Sequence, residues 1–346
     1  MKEILTAWDG EAVLIRHDAQ TGAVIIIGIH SSKFGPATGG TRLMKYNTVE
    51  DAIQDAQKLS SGMTYKFALA DFPRGGGKAV IALSRDLLPE ERHGLLMRYG
   101  SWIRQLNGYY YTGPDVGTTP EDMDVIATTG DPYVFSRTPA NGGAGGSGEA
   151  TGYGTYCGMK AVGAHLFGTR ALAGKKILVQ GIGSVGRPLL GYLNSEGAEI
   201  LISDVDERVA NDHPEYAFVT PARVYQTPCD IFSPCALGGI LNADTIPQLR
   251  CKAVVGAANN QLGTEADADF LARQNILYAP DFACNIGGAL AITGMEAMGW
   301  SKQVAFEQVS RVEQTLTTIF TLADEQRINT HVAARNLVRE KLNRIQ

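Results

Sequence analysis

Between Lys175 and Asp206 the chain reads KKILVQGIGSVGRPLLGYLNSEGAEILISDVD. Two β-branched runs, Lys176 to Gln180 and Glu199 to Ser203, flank a stretch with helical spacing. Parallel strands need a crossover connection of this kind, so the segment commits the chain to a parallel α/β sheet. The turn after the first strand is Gly181-Ile182-Gly183-Ser184-Val185-Gly186. Gly181 permits the tight turn, Gly183 lets the backbone approach a pyrophosphate, and Gly186 lets helix and strand pack closely. The amides of Ser184 and Val185 at the helix start then meet phosphate charge. Asp204, 18 residues beyond Gly186, stands where a carboxylate accepts from an adenine-ribose 2′-hydroxyl. That carboxylate repels a 2′-phosphate and favours NAD over NADP, with Arg208 keeping NADP open. A glycine-rich structural turn without ligand is the bland alternative. Pro188 fits only within the first turn or so of the helix.

Further strand-like pieces follow, ending at Asp230–Cys235, Ala253–Asn260 and Tyr278–Phe282. Ligands of open α/β sheets bind beyond the carboxyl ends of the strands. Asn259 and Asn285 are therefore candidates to hold a nicotinamide amide or a substrate carboxylate, although a loop Asn is commonly a turn residue. Composition agrees with a globular chain: 346 residues, 44% hydrophobic, 19% charged and a net charge of −5. That length suggests two domains. Mild acidity without a basic run argues against a nucleic-acid binder. Five cysteines without C-x-x-C spacing argue against a disulfide framework or a zinc site, and no metal is expected. No apolar stretch approaches the ~20 residues of a membrane span, and no secretory signal is visible. A cytoplasmic protein without membrane partners is the expectation.

Upstream, Ala23 to Ile29 (AVIIIGI) suits a buried strand. Helical spacing begins at Thr48, which with Asp51 makes an N-terminal cap. Then SSGMTYKFALADFPRGGGKAVI reads as a loop-rich stretch ending in a strand at Lys78 to Leu83. Leu87 to Gln105 reads as helix and Tyr109 to Thr112 as strand. Asn141 to Gly154 (NGGAGGSGEATGYG) holds seven glycines in fourteen residues and reads as a flexible linker, a hinge beside a ligand cleft, or both. Ser301 to Gln346 reads as helical. Met44, the pieces near Met295 to Trp300, and Cys157 read as core or interface packing.

The chemistry rests on lysines and a carboxylate. Lys66 closes MTYK, and Lys78 closes GGGK. The second is not a phosphate-binding P-loop, which needs Gly at 72 and Ser or Thr at 79, where Phe72 and Ala79 stand. What remains is a lysine held near bare backbone, a type of group suited to general acid/base work at a carbonyl carbon. Asp115, in TGPDVGT, sits at a strand end in a rigid Pro/Gly setting. There it is either a turn residue or a carboxylate fixed to exchange protons with an amine.

These pieces, with Gly39-Gly40-Thr41-Arg42, TGYG from Thr151, GAANN through Asn259 and Asn285 before Gly287-Gly288, stand in an order that resembles the glutamate/leucine/phenylalanine/valine dehydrogenase family over essentially the whole length. Similarity is greatest to the smaller branched-chain and aromatic members. The resemblance implies NAD-dependent oxidative deamination of an L-amino acid to a 2-oxo acid and ammonia, and the reverse. Lys66 would bind the substrate carboxylate with the Gly40 backbone and Asn259. Lys78 would polarise the α-carbon's carbonyl or iminium and activate water, and Asp115 would shuttle the proton to and from the amine. Thr151 would position the nicotinamide, with Asn259 and Asn285, and Pro114 and Ala289 would complete the substrate site. Homo-oligomers are usual in the family.

The fold class expected is α/β in two domains: an N-terminal α/β substrate and oligomerisation domain (1–136, with a C-terminal helix of about 325–346 free to return to it) and a Rossmann-type doubly wound NAD domain (137–324). Relatives commonly carry Ala where this chain has Ile286. Small residues at Gly113, Ala289 and Ala291 leave room for a sizeable side chain, and no cation clearly awaits a γ-carboxylate. An apolar substrate, aromatic slightly before branched, is the expectation. A 2-hydroxy-acid dehydrogenase, which needs an Arg and usually a His, and a non-catalytic NAD-binding protein are the alternatives.

Overall fold

A computed structural model describes residues 2–345. The chain divides into two units, one holding the residues up to Gly146 with Ile292–Trp300 and the chain from Lys341 on, the other Ser147–Ala291 with Ser301–Glu340.

The first unit opens with α1 (Lys2–Thr6), β1 (Ala12–His17), β2 (Val24–Ser31) and β3 (Ala37–Lys45), followed by α2 (Val49–Leu69), β4 (Gly75–Leu83), α3 (Pro89–Gln105), β5 (Tyr110–Pro114) and α4 (Pro120–Gly130). The strands form one mixed sheet in the order β1-β2-β4-β3-β5. The apolar run of β2 is explained by burial on both faces. Ile25, Ile27 and Ile29 pack with Tyr99, Tyr110 and Ile126, while Ile26 packs with Ile53 and Ala56 of α2. Each such fully buried side chain contributes roughly 1.5–3 kcal/mol.

The cap at Thr48 forms as expected, the Thr48 hydroxyl accepting from the Asp51 amide at 3.0 Å and the Asp51 carboxylate from the Thr48 amide at 3.2 Å. The loop expected from Ser60 does not. Instead α2 runs unbroken to Leu69, and β4 begins at Gly75. Ser60, Ser61 and Gly62 look like helix breakers, but Ala52, Ala56, Ser60, Met63, Thr64 and Phe67 continue one buried stripe. Small residues serve there because the sheet lies close: a Cβ on Gly28 would come within 3.0 Å of the Ala56 carbonyl and the Ser60 hydroxyl. Met44, read as packing, is 40% exposed within the chain.

The second unit starts with α5 (Gly148–Phe167) and continues through β6 (Lys176–Gln180), α6 (Gly186–Ser195), β7 (Glu199–Ser203), α7 (Val209–Asp212), β8 (Ala217–Phe218), β9 (Ile231–Pro234), β10 (Ala253–Val254), α8 (Asp267–Arg273), β11 (Leu277–Tyr278) and α9 (Asp281–Cys284). Helix α10 (Gly287–Met298) starts in this unit and ends in the first. Helices α11 (Lys302–Ser310), α12 (Val312–Gln326) and α13 (Thr330–Arg344) complete the chain. All six strands run parallel, in the order β11-β10-β9-β6-β7-β8. Counted from β6, this is the doubly wound dinucleotide order, with its switch point between β6 and β9.

The glycine-rich stretch is less of a linker than its composition suggests, since helix begins at Gly148. A Cβ at Gly148 would collide with the Ser184 carbonyl, and one at Gly152 would reach the Val185 carbonyl at 3.0 Å. These glycines let α5 lie against the turn after β6. Pro188 falls in the first turn of α6, where its missing N–H costs no helix bond. No described helix is long and apolar enough to cross a membrane.

Candidate active site

In the first unit the site is built across three parallel strands. Register pairs Thr41 of β3 with Ala79 of β4 and Gly40 with Gly113 of β5, so Gly40, Lys78 and Gly113 lie level. Lys78 is 5% exposed. Its ammonium meets Asp115 Oδ1 at 3.0 Å. The path between them passes over Gly40, where a Cβ would strike the Pro114 carbonyl and lie 3.1 Å from the Asp115 Cβ. Glycine is required at 40 for this close approach. GGGK is strand rather than loop, buried throughout, with a Cβ at Gly77 only 2.8 Å from the Tyr110 ring.

Asp115 follows β5 directly, and its turn is fastened down. Thr118 Oγ1 accepts from the Asp115 amide at 2.9 Å and donates to the Thr41 carbonyl at 2.8 Å. On the opposite face, Thr41 Oγ1 lies 2.6 Å from both the Tyr99 and Thr112 hydroxyls, and Tyr110 donates to the Gly39 carbonyl at 2.6 Å. Burial pushes Tyr99 up to about 12, which keeps this buried layer neutral. A satisfied polar network of this kind fixes the spacing of β3 and β5 beneath the ion pair.

The second oxygen of Asp115 accepts from Arg42 Nε at 2.9 Å. Arg42 is held in turn by Asp55 of α2 at 2.9 and 3.2 Å, and Tyr46 donates to the same carboxylate at 2.5 Å. Burial alone would raise the pKa of Asp115, but the charges of Lys78 and Arg42 outweigh it and hold the carboxyl well below the usual range. Desolvation likewise opposes the Arg42 charge and is outweighed by Asp115 and Asp55. Burial and Asp55 push the Tyr46 phenol upward. Arg42, Asp55, Tyr46 and Thr118 had no role assigned from the sequence. For Arg42 a signal existed: two residues past Gly40 on a strand, it shares that residue's face.

Lys66 sits half-buried in the last turn of α2. Three residues earlier, Met63 lies over β3, 3.1 Å from where a Gly39 Cβ would stand. Pro114 ends β5, half-buried.

In the second unit the turn after β6 has the shape a pyrophosphate needs. Gly181 takes φ +94°, open only to glycine without strain, with Ala236 against it. A Cβ at Gly186 would collide with the Gly181 carbonyl, so helix and strand pack as closely as expected. A Cβ at Gly183 would meet nothing, and Gly183 and Ser184 are exposed at the crest with Val185 half-buried behind them. Asp204 has a second task beside any ribose contact. Its Oδ2 accepts from the Ile182 amide at 2.7 Å and its Oδ1 from the Asp206 amide at 3.0 Å, which ties the turn to the end of β7.

Thr151, buried in the first turn of α5, donates to the Ser147 carbonyl at 2.9 Å. Asn285 donates to Asn259 Oδ1 and to the Ala257 carbonyl, each at 3.0 Å, and so sets which way the exposed Asn259 amide is turned. The Asn285 Oδ1 is buried without a hydrogen-bond partner, an acceptor of the kind a carboxamide N–H would satisfy. Ala289 is half-buried on α10. These features fit a nicotinamide dinucleotide: an open glycine crest at a helix start, a strand-end acid, and an orphaned amide oxygen. Among the described residues no group of three or more His, Cys, Asp or Glu could hold a metal ion.

Comparison with known proteins bears on the chain as a whole. Residues 14–131 match the Glu/Leu/Phe/Val dehydrogenase dimerisation domain, and residues 205–345 match the Glutamate/Leucine/Phenylalanine/Valine dehydrogenase domain. The chain is 40% identical over 341 residues to leucine dehydrogenase of Geobacillus stearothermophilus, covering 98% of this chain and 92% of that protein. It is 40% identical over 338 residues to L-tryptophan dehydrogenase of Nostoc punctiforme, covering 96% and 93%. The crystal structure of the Nostoc punctiforme L-tryptophan dehydrogenase superimposes with a TM-score of 0.83 at 37% identity, covering 99% of each chain. Lys78 paired to Asp115 over a side-chain-free Gly40, with a doubly wound dinucleotide sheet in the same chain, is therefore no chance convergence: the protein is an amino-acid dehydrogenase and belongs to the glutamate/leucine/phenylalanine/valine dehydrogenase family.

Proposed function

We propose that the chain catalyses the NAD-dependent, reversible oxidative deamination of an apolar L-amino acid, aromatic or branched, to its 2-oxo acid and ammonia. The observation that carries this reading is the buried Lys78–Asp115 pair, 3.0 Å apart, lying over the gap left by Gly40. NAD held at the Gly181–Gly186 turn and Asp204 would supply the acceptor for the hydride from the α-carbon. Lys66 holds the substrate carboxylate, helped by the Gly40 backbone. Asp115 takes a proton from the substrate ammonium group, and Lys78, once its own proton has passed to solvent, accepts the proton that water gives up as its oxygen bonds to the iminium carbon. Asp115 then returns its proton to the nitrogen of the amino alcohol, the C–N bond breaks to release ammonia, and the hydroxyl proton leaves for solvent as the 2-oxo acid forms. Thr151 and Asn285 orient the nicotinamide, and Asp204 favours NAD over NADP by repelling a 2′-phosphate. Pro114 and the bare Gly113 border the substrate side chain. The leucine and tryptophan dehydrogenase relatives support an apolar substrate. The dimerisation-domain match over residues 14–131 supports a homo-oligomer, which we place in the cytoplasm.

Initial rates of nucleotide reduction with L-Phe, L-Trp, L-Leu, L-Val and L-Glu, each with NAD and with NADP, test this. The expected result is turnover with the apolar substrates and NAD. Clear preference for L-Glu or for NADP overturns it, as does reduction of the 2-oxo acid without ammonium, which would mark a 2-hydroxy-acid dehydrogenase.

A further inference from the structure

Asp115 divides its two oxygens between two cations, Lys78 on Oδ1 and Arg42 on Oδ2. The two cations are not equivalent. Lys78 takes part in the chemistry and must turn toward the substrate during the cycle. Arg42 does not deprotonate in proteins, and its Nη1 donates to both oxygens of Asp55. A carboxylate only 12% exposed that lost its sole cation would take up a proton and cease to be a base. We propose that Arg42, backed by Asp55, is the positioning residue that keeps Asp115 ionised and turned toward Lys78 throughout turnover. The inference rests on the reading of Lys78 and Asp115 as catalytic residues.

The charged groups around Asp115 are few. Lys78 faces it from β4 and Arg42 from β3, with Asp55 of α2 and the Tyr46 phenol behind Arg42. On its own turn the Thr118 hydroxyl accepts from the Asp115 amide at 2.9 Å and the Thr118 amide donates to the Asp115 carbonyl at 3.0 Å. Asp122 of α4 and Arg92 of α3 bond to each other at 2.7 Å. Lys66 stands 11 residues beyond Asp55 on α2, about 16 Å along the helix axis.

The test is the pH dependence of kcat for the full chain with NAD and its best amino acid. R42Q removes a fixed positive charge, and the acid limb moves up by about one pH unit or more. D55N removes a negative charge from behind Arg42, and the limb moves down. R42K keeps the charge but loses the fork, so kcat falls at every pH while the limb stays within about 0.3 of the wild type. A merely structural clamp would lower activity in all three variants without shifts of opposite sign, and that result overturns the proposal. If R42Q does not fold, D55N decides: an upward shift refutes the charge argument. D115N separates the two layers. If D115N keeps wild-type kcat, the reading of Asp115 as catalytic fails. If D115N is inactive while R42Q leaves the limb unmoved, only the role of Arg42 fails.

Discussion

Replacing Gly40 by alanine adds one methyl group at the point where β3, β5 and the ion pair meet. That methyl would lie 3.0 Å from the Pro114 carbonyl carbon and 3.1 Å from the Asp115 Cβ, and would overlap the Pro114 carbonyl oxygen. Carbon atoms rest at about 3.5–4.0 Å, so the end of β5 must retreat by at least roughly 0.5 Å, and by nearer 1 Å to clear the oxygen. The strands are braced by the Thr41–Tyr99–Thr112 hydroxyl layer, which leaves the turn carrying Asp115 as the part that gives. Its 3.0 Å contact to Lys78 then opens toward 4 Å. A misplacement of ~1 Å at a reacting centre costs about a hundredfold in rate, and overpacking costs about 1–3 kcal/mol of stability. Steady-state kinetics and thermal melts of Gly40→Ala are the assay, with Gly113→Ala as comparison because a Cβ there meets only the Phe135 carbonyl at 3.8 Å. The expectation is a kcat lowered about a hundredfold in Gly40→Ala and a melting temperature little changed in Gly113→Ala. A Gly40→Ala enzyme within about threefold of wild-type kcat and equally stable would refute the argument that the bare backbone at 40 sets the Lys78–Asp115 distance.

Two further outcomes follow from contacts elsewhere. Asp18, 7% exposed, is held at about 2 by the Arg98 fork at 2.6 and 2.9 Å, against the opposing effect of burial and with help from Thr21. Its folded pKa is depressed, so its stabilisation is full above about pH 4 and is lost as pH falls toward 2; discounted for the partly exposed Arg98, it is about 1–2 kcal/mol. Asp18→Asn should lose that amount in urea unfolding at neutral pH and little near pH 2, and an equal loss at both pH values would contradict the linkage. Asp281 accepts from the Asn260 amide at 2.6 Å and from the Tyr278 hydroxyl at 3.1 Å, which holds Asn260 at φ +52° beside Asn259. Asp281→Asn weakens a hydrogen bond to a charged group, worth about 1.5–3 kcal/mol, so KM for NAD and amino acid should rise roughly tenfold with a smaller change in kcat. Unchanged KM values would show that the loop is set without it.

The dinucleotide turn was legible because its requirements are local. A positive φ at Gly181 and a close approach at Gly186 are written into the backbone of six consecutive residues. Lys78 and Asp115 were legible as candidates, each through its own glycine- or proline-rich surroundings. Arg42 was visible only as a member of Gly39-Gly40-Thr41-Arg42, because its partners lie 13 and 73 residues away and no periodicity ties them together. Local propensity misled at two places. Ser60, Ser61 and Gly62 read as the end of α2, and the glycines from Gly148 read as part of a linker or hinge, yet in both places small residues serve close packing within a helix. Propensity is a weak prior that burial overrides.

By itself, the order of residues determined that this chain builds parallel strands around a glycine turn, caps a helix at Thr48 and carries Lys78 on bare backbone, since each depends on neighbours within a few positions. Only the tertiary structure decided which oxygen of Asp115 faces which cation, that Asp55 and Tyr46 stand behind Arg42, and that Asn285 keeps a buried oxygen without a partner. The reason is physical. Charge–charge contacts and desolvation act through space over a few ångströms, and the distance along the chain between the groups that feel them is unrelated to that range.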